Sequence, residues 1–251
     1  MNQQNKENIN KEKGEEKNMK TLSIVIPLYN EEKLIKDLLK KVVGAKIILE
    51  KEIIVVNDGS TDRSEERVKE FIKEHKKENI ILIKKNNGGK GSALKEGFKK
   101  ATGDIFIVQD ADLEYDPNDY KEVILPIINQ ETKIVYGSRF RKKIVFAHIH
   151  FLVGNIVINT ILSVLYGKII TDSYTCYKAF HKDLKKLLTE AEGNKFDYEP
   201  EITSKILKKK YTIKEVPINY LPRSKKEGKK ISYKDGINAI KVLIEWKVKK
   251  Y

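Results

Sequence analysis

The chain has 251 residues, 40% of them hydrophobic, and a formal net charge of +14. That size and apolar content suit one large α/β domain or two small ones, and the single cysteine, Cys176, excludes an intrachain disulfide. The charge is concentrated: residues 204–251 hold fifteen Lys or Arg against four Asp or Glu, a surplus of +11 that suits phosphates, nucleic acid or an anionic membrane face.

Residues 1–18, "MNQQNKENINKEKGEEKN", balance four Lys with four Glu and contain no aromatic residue. They read as a disordered polar tail, and they lack the apolar core of a signal peptide. "TLSIVIPLY" (21–29) is then a buried strand, continuous and β-branched. "NEEKLIKDLLKKVV" (30–43) follows as an amphipathic helix with Asn30 as its expected N-cap. "KEIIVVNDGS" (51–60) is a second buried strand running into a turn, and 61–77 a charged helix. "NIILIKK" (79–85) is a third strand. "NNGGKGSALKEGFKKA" (86–101) is a glycine-rich loop entering a helix, and "DIFIVQD" (104–110) a fourth strand.

Strands alternating with helices imply a mostly parallel sheet covered on both faces, with ligands at the carboxyl ends of its strands. Tyr29–Glu31, Asn57–Ser60 and Asp110–Glu114 all fall at such ends and are expected to meet in one crevice. The second half is less regular. Strand-like stretches are expected at 133–140, 172–180 and 211–220. Helices are expected at 200–210, with Pro200 at its first position, and at 232–251, where Ser232 and Asp235 have capping-box spacing.

Two nucleotide motifs are absent. "PLYNEE" after the first strand carries no glycine, and in "GGKGS" Lys90 is followed by Gly91 where a phosphate loop needs Ser or Thr. Asp110 and Asp112 close the fourth strand as Asp-Ala-Asp. Hard oxygen ligands at a strand end suit Mg²⁺ or Mn²⁺ bridging substrate phosphates.

In order and spacing, "SIVIPLYNEE", "IIVVNDGSTDRS", "NNGGKGSALKEGF", "GDIFIVQDADLEYDP", "YGSRF" and "EVPINYLPRSKKEGKKISYKDG" resemble the family 2 glycosyltransferases of the GT-A fold. The likeness covers about residues 20–240, and the second half resembles the branch of dolichyl-phosphate mannose synthase and other polyprenyl-phosphate glycosyltransferases. It implies a single Rossmann-like α/β domain over 19–251; within it, the residue pattern itself suggests membrane-interface helices at 143–170 and a basic loop with a C-terminal amphipathic helix at 221–251. Pro27, Tyr29, Glu31 and Asp58 would hold base and ribose, and Lys90 and Lys230 would join the donor-binding set. Asp110 and Asp112 would form the metal and diphosphate motif, with Glu114 as a third ligand. Arg139 would face the phosphates, and Arg223, Lys229 and Lys230 would lie in a mobile loop closing on them. Asp112, Arg139, Arg223 and Lys229 make up the catalytic set.

The implied reaction is metal-dependent and inverting. It moves a sugar from a UDP-, GDP- or dTDP-linked donor to a polyprenyl phosphate at the cytoplasmic membrane face. The leaving diphosphate is stabilised by Mg²⁺ or Mn²⁺ and fixed cations. A lipid phosphate is already anionic near neutral pH and needs no strong base. A sugar hydroxyl in a glycolipid or polysaccharide, the alternative acceptor, calls for a carboxylate. "FDYEPEI" (196–202) offers Asp197, Glu199 and Glu201 for that, or else simply acids at a helix N-terminus. Nucleic acid is not the expected partner, because the early basic segments lack interleaved aromatic residues.

From Ile144 to Gly167 no charged residue occurs, but His148, His150, Asn155, Asn159, Thr160 and Ser163 interrupt the run. One or two helices against the membrane interface are expected, with burial in the core or a true span as the other readings. Cys176 reads as a core residue, and Trp246 suits an interface or ordinary packing.

Overall fold

The computed structural model of the chain describes residues 19–142, 149–223 and 233–250. Among them runs a seven-stranded sheet in the order β3-β2-β1-β4-β6-β5-β7. Its strands are β1 (Thr21–Leu28), β2 (Glu50–Asp58), β3 (Ile80–Lys85), β4 (Ile105–Val108), β5 (Ile134–Ser138), β6 (Lys178–His181) and β7 (Ile213–Pro217). All neighbours pair in parallel except β6, which runs antiparallel to both β4 and β5.

The first half follows from its side chains. Leu22, Ile24, Val25 and Ile26 of β1 and Ile53–Val56 of β2 are fully buried, as strands covered on both faces require. α1 (Ile35–Gly44) seats Ile35, Leu38, Leu39 and Val42, one stripe at helical spacing. α2 (Ser64–Glu74) buries only Ser64, Val68 and Phe71 and is otherwise charged. α3 (Lys90–Lys100) lies so close to the sheet that a Cβ on Gly97 would collide with the Val25 side chain. The remaining helices are α4 (Tyr120–Ile128), α5 (Ile149–Tyr166), α6 (Lys185–Thr189), α7 (Tyr198–Lys208) and α8 (Tyr233–Val248).

Several sequence expectations are corrected. α1 starts at Ile35 and not at Asn30, which adopts a left-handed conformation (φ 51°) and ties the end of β1 to the turn after β2. Of 172–180 only the end is a strand, because Asp172, Ser173 and Cys176 are held by side-chain bonds in place of a ladder. Pro200 stands at the third position of α7, where its missing N–H is still not needed. Ser232 of the expected capping box lies outside the described residues.

The uncharged stretch resolves into the single helix α5 over its described part. It packs on α8, where the Tyr166 hydroxyl donates to the Leu243 carbonyl (3.0 Å). Ile158 and Leu162 are buried, while Val153, Ile156, Val157 and Val164 stay exposed. Among the described residues no helix is long and apolar enough to cross a membrane. Trp246 is buried between the Lys205 and Lys249 ammonium groups.

Candidate active site

The carboxyl ends of β1, β2 and β4 meet, as in other open α/β sheets. After β2, Gly59 takes a positive φ of 69° and the chain turns back, leaving Asp58 buried. Its carboxylate accepts the N–H groups of Gly88 (2.9 Å) and Gly89 (2.7 Å), and the Lys85 ammonium lies 2.5 Å away. Asp58 thus anchors the glycine-rich loop that aims the start of α3, and with it Lys90, at the cleft. Tyr29 is exposed at the end of β1 and Pro27 half-buried beneath it.

The turn after β4 rests on a buried polar scaffold. Gln109, fully buried, accepts the hydroxyls of Tyr120 and Tyr177 (2.7 Å each) and donates to the Asp110 carbonyl. The Cys176 sulfur accepts the Asp110 N–H (3.1 Å), and the Tyr115 hydroxyl accepts the Cys176 N–H (3.1 Å). Burial, and after it Asp110, pushes the Cys176 thiol well above its ordinary range, so it is an inert core group. Leu113 holds a positive φ of 60°, and the Asp112 carboxylate caps the turn through the Glu114 N–H (3.1 Å).

A strap over residues 218–223 crosses this turn. Asp119 accepts the Asn219 N–H (2.6 Å) and side-chain amide (2.7 Å), Tyr115 bridges Tyr220, and the Leu221 N–H reaches the Glu114 carbonyl (2.9 Å). The strap ends on Arg223. Its guanidinium binds both oxygens of Glu31 (3.1 and 3.3 Å), 192 positions away in the chain, and Asp112 (3.1 Å). Arg223 therefore joins the ends of β1 and β4. Burial opposes its charge, but Glu31 and Asp112 hold its pKa above the ordinary value.

Two residues of the expected set are tied into the strap. Glu114 is buried and accepts the Tyr220 hydroxyl (2.8 Å) with one oxygen and the Arg223 N–H (2.8 Å) with the other. Among the described residues no three acidic, histidine or cysteine side chains gather for a metal. Arg139 is buried and engaged within the chain. Its Nε and Nη2 form a fork on fully buried Asp172 (2.8 Å each), and its carbon centre lies 4.9 Å from the Tyr220 ring centroid. It braces the strap. Lys229 and Lys230 lie outside the described residues.

Asp110 and Asp112 remain as candidate metal ligands. Asp112 is pushed up to about 7, by burial first and then by the like charges of Asp110 and Glu114, and Arg223 relieves this only in part. A hard oxygen pair still short of positive charge, flanked by the stand-in cations Lys90 and Arg223, fits a divalent ion.

Behind Asp110 runs a string of alternating charges that local sequence signals did not reveal. The Lys90 ammonium sits 2.8 Å from one Asp110 oxygen and 3.0 Å from the other, and 3.6 Å from Glu199. Glu199 in turn binds buried Lys178 of β6. The other acids of "FDYEPEI" are also engaged: Asp197 accepts the Lys195 N–H (2.7 Å), and buried Glu201 binds Lys205 (2.6 Å) and the Gly193 N–H (2.6 Å).

This sheet, with an acidic turn at the carboxyl end of its central strand, defines a GT-A glycosyltransferase. Glucosyl-3-phosphoglycerate synthase from Mycobacterium tuberculosis, solved with Mn²⁺, uridine diphosphate and phosphoglyceric acid, has the same fold. Its TM-score is 0.69 at 17% identity, over 91% of this chain and 79% of that one. The profile of "Glycosyl transferase family 2" matches residues 23–188, and the chain belongs to that family. UDP-N-acetylglucosamine–dolichyl-phosphate N-acetylglucosaminyltransferase of Methanococcus voltae is 34% identical over 216 residues, 79% of this chain and 85% of that protein. Dolichol-phosphate mannosyltransferase of Pyrococcus furiosus is 37% identical over 121 residues, 48% of this chain but 34% of that longer protein. The relatives thus lie in the polyprenyl-phosphate branch that the second-half motifs resemble.

Proposed function

We propose that this glycosyltransferase moves a sugar from a nucleotide sugar to a polyprenyl phosphate, with inversion and with a divalent metal, at the membrane surface. The observation that carries the acceptor class is the engagement of every acid in "FDYEPEI". Glu199 and Glu201 lie in buried ion pairs and Asp197 caps its own turn, so each already has a structural partner, which favours an acceptor that needs no base over a sugar hydroxyl. An acceptor phosphate needs no base, because its oxygen is already anionic. The Methanococcus voltae relative, named for transfer to a dolichyl phosphate, supports the same class.

In this reading Asp110 and Asp112 hold Mg²⁺ or Mn²⁺, which when bound supplies positive charge against the leaving diphosphate. The chain's own residues do the rest. Pro27, Tyr29, Glu31 and Asp58 form the base and ribose end, and Asp58 acts through the loop it anchors. Arg223 places charge beside the diphosphate, where it counts most as negative charge develops, and Lys90 borders the same cleft from its place beside Asp110. An acceptor phosphate oxygen attacks the anomeric carbon, the bond to the diphosphate breaks, and the nucleoside diphosphate leaves with the electron pair. One displacement inverts the centre.

The acceptor's hydrocarbon tail has an apolar surface to follow. An open surface depression of about 510 Å³ beside α5 is lined by Phe140, Ile156, Val164, Ile169 and Ile170 together with the polar Asn159, Thr160, Ser163 and Thr171, and Val164 and Ile169 are 78% and 88% exposed. The reading is tested by incubating the protein with Mn²⁺, labelled nucleotide sugars and a short polyprenyl phosphate. Label in an acid-labile lipid is expected. Label only in free sugar overturns the acceptor.

A further inference from the structure

The string Asp110–Lys90–Glu199–Lys178 reaches from the cleft into the core, and only its first two members border the donor site. Lys178 is 1% exposed and comes from β6, the antiparallel strand inserted between β4 and β5. Its ammonium also donates to the Thr175 carbonyl (2.7 Å) and lies 5.0 Å from the Tyr136 ring centroid. Glu199, on the first turn of α7, turns one oxygen to Lys178 and the other toward Lys90. One carboxylate thus stands between two ammonium groups, and the second ammonium holds it in place.

The arrangement gives Lys90 two counter-ions of unequal kind. Asp110 is 22% exposed at the strand end and is a candidate ligand for the metal. Glu199 is buried and fixed. A lysine with only Asp110 as partner would compete with a metal for that carboxylate, and losing the contest would leave its charge buried and uncompensated, a costly state. With Glu199 3.6 Å away, the ammonium has somewhere to go.

We propose that Glu199, oriented by Lys178, is a positioning residue that receives Lys90 when Asp110 turns to the metal–diphosphate, so that one lysine both balances the empty acidic turn and yields it to the donor. This deepens the donor-site reading and rests on it. An ion pair that served only the fold would have no reason to extend to Asp110. Its joint replacement by uncharged residues of similar volume would also leave donor binding untouched.

Replacing Glu199 alone strands Lys178 in the core, so the test uses the pair, Lys178→Met with Glu199→Gln, and the triple variant that adds Lys90→Met. Circular dichroism and thermal unfolding establish that each is folded. Calorimetry then measures Mn²⁺ binding alone and uridine diphosphate binding with Mn²⁺. In the double variant Lys90 keeps Asp110 as its counter-ion among the described residues, and affinity for Mn²⁺ and for the Mn²⁺–nucleotide should fall about tenfold, equivalent to about 1.4 kcal/mol. In the triple variant the competing cation is gone, and Mn²⁺ affinity should return to the wild-type level or exceed it. A folded double variant that binds as wild type overturns the proposal, as does a triple variant no better than the double. Wild-type protein that binds neither probe overturns the donor-site reading itself.

Discussion

Asp112→Asn tests whether the acidic turn is built for a cation that the chain alone does not supply. Burial and the charges of Asp110 and Glu114 raise the Asp112 carboxyl from 3.8 to about 7. A carboxyl that binds its proton more tightly folded than unfolded destabilises the fold once ionised. The penalty is complete above the folded value and fades as pH falls toward the unfolded one. Three pKa units correspond to about 4 kcal/mol at about pH 8, falling below about 2 kcal/mol near pH 5. Asparagine carries no charge, and its side-chain oxygen can still accept the Glu114 N–H. The metal-free variant should therefore be more stable than wild type at about pH 8 by up to about 4 kcal/mol, less the loss of one contact to Arg223, and the two should converge toward about pH 4. Urea unfolding in a chelator across that range measures it. Added Mn²⁺ should then stabilise wild type, by about 2.7 kcal/mol at a hundredfold excess over its dissociation constant, and leave the variant nearly unmoved. Equal stabilities at high pH, or equal stabilisation of both proteins by Mn²⁺, would refute the reasoning.

Arg223→Ala should cut turnover by about a hundredfold or more and weaken nucleoside diphosphate binding less, as calorimetry set beside rates will check. Equal losses would mark a static donor contact. Arg139→Ala should cost about 3–5 kcal/mol of unfolding free energy by stranding Asp172, and the joint change Arg139→Met with Asp172→Leu should recover much of it in the same urea assay. Serine at Val153, Ile156, Val157 and Val164 should leave the fold intact, since all four are exposed, and should reduce salt-resistant flotation with anionic liposomes. Flotation equal to wild type would remove α5 from membrane contact.

The sites at the ends of β1, β2 and β4 were legible because the strands announce themselves. Runs such as Ile53–Val56 are apolar and β-branched throughout, and the residues following such a run must lie at the sheet's carboxyl edge. The insertion of β6 between β4 and β5 left no such mark: it is four residues long, and one of them is the buried Lys178. Arg223 was visible as a basic residue in a basic stretch. Its clasp on Glu31 was not, because a pair 192 positions apart has no local spacing to read. Arg139 is similar: its motif suggested phosphate, and the partner that its guanidinium binds within the chain, Asp172, comes from another segment that the motif does not announce. Gln109 offered the one overlooked local signal: a polar residue at the end of a buried strand must find buried partners, and it finds Tyr120 and Tyr177.

Everything in the proposed reaction turns on whether the acceptor oxygen belongs to a lipid phosphate. The most direct measurement gives the enzyme equal amounts of a short polyprenyl phosphate and a hydroxyl-bearing glycolipid, together with Mn²⁺ and each of several labelled nucleotide sugars. Label should appear in one lipid product that releases its sugar in mild acid, as a glycosyl phosphate does, with none in the glycolipid. Label confined to an acid-stable glycolipid product would contradict it.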